Sequence, residues 1–203
     1  MKKIFIYGKG YDNYARALND AGAQAVISEN AELSRECDGL LLPGGGDVSP
    51  CFYNSAERFC TGVDLKRDCA EQYLIAVFLK QNKPIMGVCR GMQMLNVYFR
   101  GTLEQKIRRA DMHYAAGTDV YHPIFSTQGG FTYKLFGEKF TVNSAHKQAV
   151  KIVGAGLKIC ARAPDGTIEA IQNLNKKIVA VQFHPERMEN RGNEIYEYFL
   201  SLF

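Results

Sequence analysis

An open, mostly parallel α/β sheet covered by helices on both faces is the fold class predicted for residues 1–203, read as one domain. Three observations predict it. Short, continuous apolar runs alternate with segments of helical periodicity, the links between them are short, and 203 residues suffice to bury one core.

The elements follow in order. Residues 3–7 read as a short buried strand, and 12–21 as a helix with Tyr14, Ala17, Leu18 and Ala21 on one face before Gly22 ends it. Residues 24–27 form a second strand. Residues 39–42 form a third, which runs straight into Pro43-Gly44-Gly45-Gly46-Asp47, where the backbone must turn sharply or be closely approached. From Asp64, a candidate N-cap, to Lys80, the positions Cys69, Tyr73, Ala76 and Val77 recur at three- and four-residue spacing and mark a helix packing one face on the sheet. A fourth strand at 85–88 leads through Gly87-Val88-Cys89-Arg90-Gly91 into a helix over 92–99 that Gly101 stops. Residues 103–139 lack periodicity and are read as loops and short strands. Strands at 140–142 and 157–163 follow, and the latter joins 168–172 in a hairpin through Pro164-Asp165-Gly166-Thr167. A last strand over 177–183 ends at His184-Pro185-Glu186, and a helix over 194–202 closes the fold.

Composition narrows the function classes. Hydrophobic residues at 46% and charged residues at 23% are ordinary for a globular chain, which excludes disorder. The net charge of +4 is spread without a block of like charge, so no nucleic-acid surface is called for. The apolar run after Lys2 and Lys3 is too short for a signal peptide or a membrane span, and a cytoplasmic location is expected. Six cysteines include no C-x-x-C pair, which argues against a disulfide framework. The histidines at 113, 122, 146 and 184 show no short ligand spacing to the cysteines, so no metal is expected.

Three motifs carry chemistry. Gly87-x-Cys89-x-Gly91, where a strand passes into a helix, has the pattern of a nucleophile elbow, and a helix beginning at Arg90 favours a thiolate at Cys89. The competing reading is a buried thiol in a tight turn. His184-Pro185-Glu186 supplies an imidazole that can carry the thiol proton and a carboxylate that can orient it, against the alternative of a strand-terminating turn. Both lie at carboxyl ends of predicted parallel strands, where open α/β sheets bind ligands. The N–H groups of Gly44-Gly45-Gly46, with that of Arg90, suit an oxyanion hole. A phosphate loop is the poorer reading, since no Gly-Lys-Ser/Thr follows, and a plain glycine turn remains an alternative.

Five segments in register then make a resemblance: residues 40–50, 87–93, Gly101-Thr102-Leu103, Asn143-Ser144-Ala145-His146 and Gln182-Phe183-His184-Pro185-Glu186. Together they resemble the γ-glutamyl hydrolase branch of the class I glutamine amidotransferases and are similar to γ-glutamyl-γ-aminobutyrate hydrolases. The resemblance implies a flavodoxin-like sheet with a small added β-hairpin region. It also implies a hydrolase that cleaves a γ-glutamyl amide through a thioester and releases glutamate, with no cofactor and no metal. Cys89 would be the nucleophile, His184 the acid/base and Glu186 its orienter, with Gly44, Gly45 and Arg90 at the oxyanion. Gly46, Gln93, Ser144 and His146 would face the substrate. Glu169 fits the family pattern with no role beyond pairing across the hairpin. The implied partner is a small γ-glutamyl molecule, not nucleic acid or a membrane, and a homodimer is compatible with it.

Two departures bear on the leaving group. Lys147 stands where relatives often carry His or Gly, and Lys106 where an acid is usual. Arg108, Arg109, Lys134 and Lys147 would favour a phosphorylated leaving group such as that of γ-glutamyl-CDP-amidate, known in capsule modification, over γ-glutamyl-γ-aminobutyrate. The alternative is that they are ordinary solvated surface. A glutaminase subunit serving a partner synthetase, and a catalytically silent binding module, are the competing functions.

Overall fold

In β1 (Lys2–Tyr7) successive side chains leave opposite faces, and both faces are covered: Ile4 and Ile6 join one apolar cluster, Phe5 and Tyr7 the other. The computed structural model describes residues 1–189 and 191–203. Helix α1 (Asp12–Asp20) covers the first face with Tyr14 and Leu18, then β2 (Ala23–Ser28) and β3 (Gly39–Leu42) pair parallel to β1 on either side. Helix α2 (Leu65–Lys80), capped by the Asp64 carboxylate accepting from the Arg67 N–H at 3.0 Å, covers the second face. β4 (Ile85–Val88) pairs parallel with β3 and passes directly into α3 (Arg90–Tyr98).

The packed face of α2 is not the one its apolar spacing suggested. Tyr73 is 54% exposed and Cys69 is exposed, whereas Asp68, Glu71, Leu74, Ile75 and Phe78 are buried. Two carboxylates turn inward because the buried Arg90 guanidinium pairs with both of them.

Residues 102–152 hold β5 (Thr102–Glu104), α4 (Ala110–His113), β6 (Val120–Ser126), α5 (Phe131–Phe136), β7 (Lys139–Ser144) and β8 (Ala149–Ile152). Then come β9 (Lys158–Arg162), β10 (Ile168–Asn173), β11 (Ile178–Val181) and α6 (Asn193–Leu200), which joins α1 on the first face. The main sheet has the order β2-β1-β3-β4-β11-β10-β9-β6-β7. From β2 to β11 neighbours run parallel, and from β11 to β7 antiparallel. The antiparallel flank is larger than a single hairpin, because β6 and β7 extend the β9–β10 pair. β5 and β8 form a separate antiparallel pair. β4 and β11 are adjacent, which brings the segments after both to the same end of the sheet.

Candidate active site

The turn from β4 into α3 forces Cys89 to φ 51°, ψ −105°, a conformation rare for a residue with a side chain and worth about 1–3 kcal/mol of strain. The turn is fixed from both sides. The Cys89 N–H donates to the Val181 carbonyl at 2.8 Å, and the Cys89 carbonyl accepts from Met92 and Gln93 at 3.1 and 3.3 Å. Cys89 is also the N-terminal neighbour of α3, so it sits at the positive end of the helix dipole.

After β11 the chain delivers His184. Its backbone is gripped by Asn143 of β7, whose amide donates to the His184 carbonyl and accepts from its N–H, both at 3.0 Å. Pro185 opens one short helical turn (Pro185–Arg187), which bends Glu186 back so that Oε1 sits 2.7 Å from His184 Nδ1. A carboxylate accepts only, so Nδ1 carries a hydrogen and Nε2 is left for chemistry. A β-carbon built on Gly44 would lie 3.0 Å from His184 Cε1 and 3.7 Å from Cys89 Cβ, so the imidazole and the thiol meet over Gly44. Burial alone would lower the His184 pKa. The charge of Cys89 and hydrogen bonding to Cys89 and Glu186 outweigh it and push the ring up to about 10.

The glycine loop after β3 is held by charges behind it. Arg67 Nη2 donates to the Pro43 and Gly44 carbonyls at 2.7 and 3.1 Å, and its Nε binds Glu71 at 2.7 Å. Glu71 also pairs with Arg90 Nη1 at 2.5 Å, Arg90 Nη2 pairs with Asp68, and Asp68 accepts the Ser49 N–H at 2.9 Å. The Arg90 guanidinium is therefore structural. Its backbone N–H, at the first residue of α3, has no acceptor among the described residues, and neither has that of Gly45.

Gly44 does not keep the role expected of it. Its N–H donates to the Tyr14 hydroxyl at 2.9 Å and is already satisfied, unlike those of Gly45 and Arg90. Tyr14→Phe should leave that buried N–H unpaired, lowering stability by about 1–3 kcal/mol. Urea unfolding would show a lower midpoint at unchanged slope; an unchanged midpoint would mean that the loop finds another acceptor.

A cleft of about 190 Å³ opens beside the thiol, lined by Gly45, Gly46, Asp47, Cys89, Gln93 and Lys147 among others. Gln93 Nε2 donates to Gln182 Oε1 and to the Gln148 carbonyl, each at 3.1 Å, and Gln182 Nε2 approaches Cys89 Sγ at 3.5 Å. Neither Gln182 nor Tyr14 was singled out from sequence as a residue of the site. Gln182 was findable, since it lies only two residues before His184, just beyond the end of β11.

The sequence profile of the Peptidase C26 family matches residues 11–186. The chain belongs to the peptidase C26 family. It is 39% identical over 173 residues to a glutamine amidotransferase-like protein, YvdE, of Lactococcus lactis, covering 81% of this chain and 73% of that one. It is 31% identical over 203 residues to the γ-glutamyl-γ-aminobutyrate hydrolase PuuD of Escherichia coli strain K12, covering 86% and 77%. The glutaminase domain of Trypanosoma brucei CTPS, solved with bound acivicin, shares the fold at a TM-score of 0.72 and 16% identity, over all of this chain and 93% of that one. The class I glutamine amidotransferase fold expected from the motifs is thus the fold found. Among the described residues no helix is long and apolar enough to cross a membrane.

In this peptidase C26 chain two residues expected to face the substrate are otherwise engaged. Ser144 is fully buried, and its hydroxyl donates to the His113 carbonyl at 3.0 Å. His146 borders the cleft, but Nδ1 binds the Gln148 carbonyl at 2.8 Å and Nε2 faces Glu169, so neither nitrogen is offered to a ligand in the cleft. Gly46 and Gln93 do line the cleft. Of the four cations weighed for a phosphorylated leaving group only Lys147 is there, its ammonium 4.1 Å from the centre of the Tyr114 ring. Arg108 and Arg109 line a different groove, and Lys134 lies over Tyr198. Glu169, read only as a hairpin residue, is ringed by His113, His122 and His146.

Proposed function

We propose that this peptidase C26 protein is a cysteine hydrolase that cleaves the C–N bond of a γ-glutamyl amide through a γ-glutamyl thioester and releases L-glutamate. The observation that supports it best is the meeting of Cys89 and His184 over Gly44, with Glu186 on the far nitrogen of the ring. Cys89 attacks as thiolate, and the carbonyl oxygen takes negative charge toward the Gly45 and Arg90 N–H groups. His184 gives its proton to the departing nitrogen as the C–N bond breaks. The neutral ring then takes a proton from water, whose hydroxide attacks the thioester, and returning that proton to sulfur or keeping it on the ring completes the cycle. Asp47 and Lys147, of opposite charge, border the same small cleft and suit a zwitterionic glutamyl group. Lys147 equally meets an anion on the leaving group, carboxylate in a γ-glutamyl-aminobutyrate or phosphate in a γ-glutamyl-CDP-amidate.

Glutamate release by the purified protein from a panel of γ-glutamyl amides, γ-glutamyl phosphoramidates and free glutamine tests the reading. Turnover of the amides or phosphoramidates with glutamine nearly inert is expected. Turnover of glutamine alone would move the protein to the ammonia-supplying glutaminases, and no turnover at all to binding modules. On the best substrate, kcat/KM should persist through neutral pH and fall only as pH rises through about 10, because His184 must arrive protonated and its neighbours raise its pKa that far. Loss of rate around the unperturbed histidine value of 6.5 would contradict that pairing.

A further inference from the structure

Far along the chain from one another, His113 at the end of α4, His122 on β6, His146 in the β7–β8 connection and Glu169 on β10 converge in the interior, each no more than 5% exposed. Glu169 Oε1 is the hub. His113 Nδ1 lies 3.4 Å from it, His146 Nε2 3.6 Å and His122 Nε2 3.7 Å. These separations exceed a good N–H···O hydrogen bond, and the three nitrogens and both Glu169 oxygens are buried without a hydrogen-bond partner.

The outer nitrogens decide which way the hydrogens point. His122 Nδ1 lies 3.1 Å from the Pro123 carbonyl, His146 Nδ1 2.8 Å from the Gln148 carbonyl, and His113 Nε2 3.1 Å from Asp165 Oδ2. Carbonyls and carboxylates accept only, so each outer nitrogen carries the hydrogen and each neutral ring turns a lone pair inward. Three lone pairs then face a carboxylate oxygen, an arrangement that repels itself unless a cation sits among them. Protonating all three rings instead would crowd like charges, since the His113 ring centre is only 4.6 and 4.8 Å from those of His122 and His146.

We propose that His113, His122, His146 and Glu169 are the ligands of a buried divalent metal ion, zinc being the ion that this donor set fits best. Zinc–nitrogen and zinc–oxygen bonds of about 2.0–2.2 Å in a tetrahedron put neighbouring donors about 3.3–3.6 Å apart, close to the spacings around Glu169. The donor atoms of His113, His146 and Glu169 all lie within 4.8 Å of one another and form the core of the site, whereas His122 Nε2, 3.7 Å from Glu169 Oε1, stands outside that group and closes on the ion as the fourth ligand. A ring whose outer N–H is anchored on a carbonyl or carboxylate is the usual form of a metal-ligating histidine, and all three rings have that anchor. Three nitrogens and a carboxylate form a closed set, which marks a structural rather than a catalytic ion. From this position the ion ties together α4, β6 and the connection that carries Lys147 to the cleft. The site does not depend on the hydrolase reading, and its test reads no turnover.

Protein stripped with a chelator and titrated with zinc chloride should take up one tightly bound ion per chain by elemental analysis. Cobalt(II) in its place should give the visible absorption of tetrahedral nitrogen and oxygen ligands without a thiolate charge-transfer band. Cys89→Ala should keep the ion, whereas Glu169→Gln and His113→Gln should each lose it, along with the zinc-dependent rise in Tm. Failure of the wild-type protein to bind zinc stoichiometrically, a thiolate band with cobalt, or full occupancy in Glu169→Gln would overturn the proposal. The cobalt spectrum is read on the wild-type chain, so it decides even where a variant fails to fold.

Discussion

Cys89→Ala should lower kcat/KM toward γ-glutamyl amides by about 10⁴-fold or more, leaving the fold intact. The side chain is small and buried beside the cleft, so its loss opens little space, whereas the reaction loses the atom that forms the thioester. Cys89→Ser should fall nearly as far, because a hydroxyl is a far weaker nucleophile than the thiolate it replaces. His184→Ala should match Cys89→Ala, and the double variant should be no worse than either, because the pair works as a unit. Glu186→Gln keeps the shape and costs less, about 10²–10⁴-fold, through misorientation of the ring rather than loss of proton transfer. Steady-state glutamate release measures all five. Retention of most turnover in Cys89→Ala would place the nucleophile elsewhere.

Gly91→Ala should be the most damaging single methyl group near the site. A β-carbon there would stand 2.0 Å from the Leu42 carbonyl oxygen and 2.7 Å from its carbon, both backbone atoms. Leu42 belongs to β3, which is paired on both sides by β1 and β4, so it cannot retreat without breaking the sheet. Instead α3 must lift, which distorts the turn that presents Cys89. A loss of about 3 kcal/mol or more is expected, at the upper end for overpacking. Gly166→Ala, where nothing lies within 4 Å and only the positive φ of +91° is penalised, should cost about 1–2 kcal/mol. Urea unfolding followed by circular dichroism compares the two. Equal losses would show that α3 adjusts freely over β3.

The parallel half of the sheet was legible because its strands are buried on both faces and therefore read as unbroken apolar runs. The candidate nucleophile and base were legible for a related reason: each follows one of those runs, and β4 and β11 prove to be neighbours. The packed face of α2 was not legible, because an inward carboxylate is sensible only once Arg90 is known to stand opposite it. Gly44 looked like an oxyanion donor until Tyr14, 30 residues earlier, was seen to take its N–H. Residues 103–139 gave no periodicity because several of their buried positions are polar: His113, His122 and Thr132 are interior. The grouping of those histidines on Glu169 depends on long-range pairing that no spacing along the chain encodes.

Catalysis as proposed requires an acyl group carried on one sulfur. Mass spectrometry of the intact protein, quenched in acid during turnover of a γ-glutamyl amide and then digested, reads it directly. A single γ-glutamyl adduct is expected on the peptide containing Cys89, absent from Cys89→Ala and made longer-lived in His184→Ala treated with an activated γ-glutamyl ester. An adduct on Cys37, Cys51, Cys60, Cys69 or Cys160, or turnover with no adduct under any quench, would contradict it.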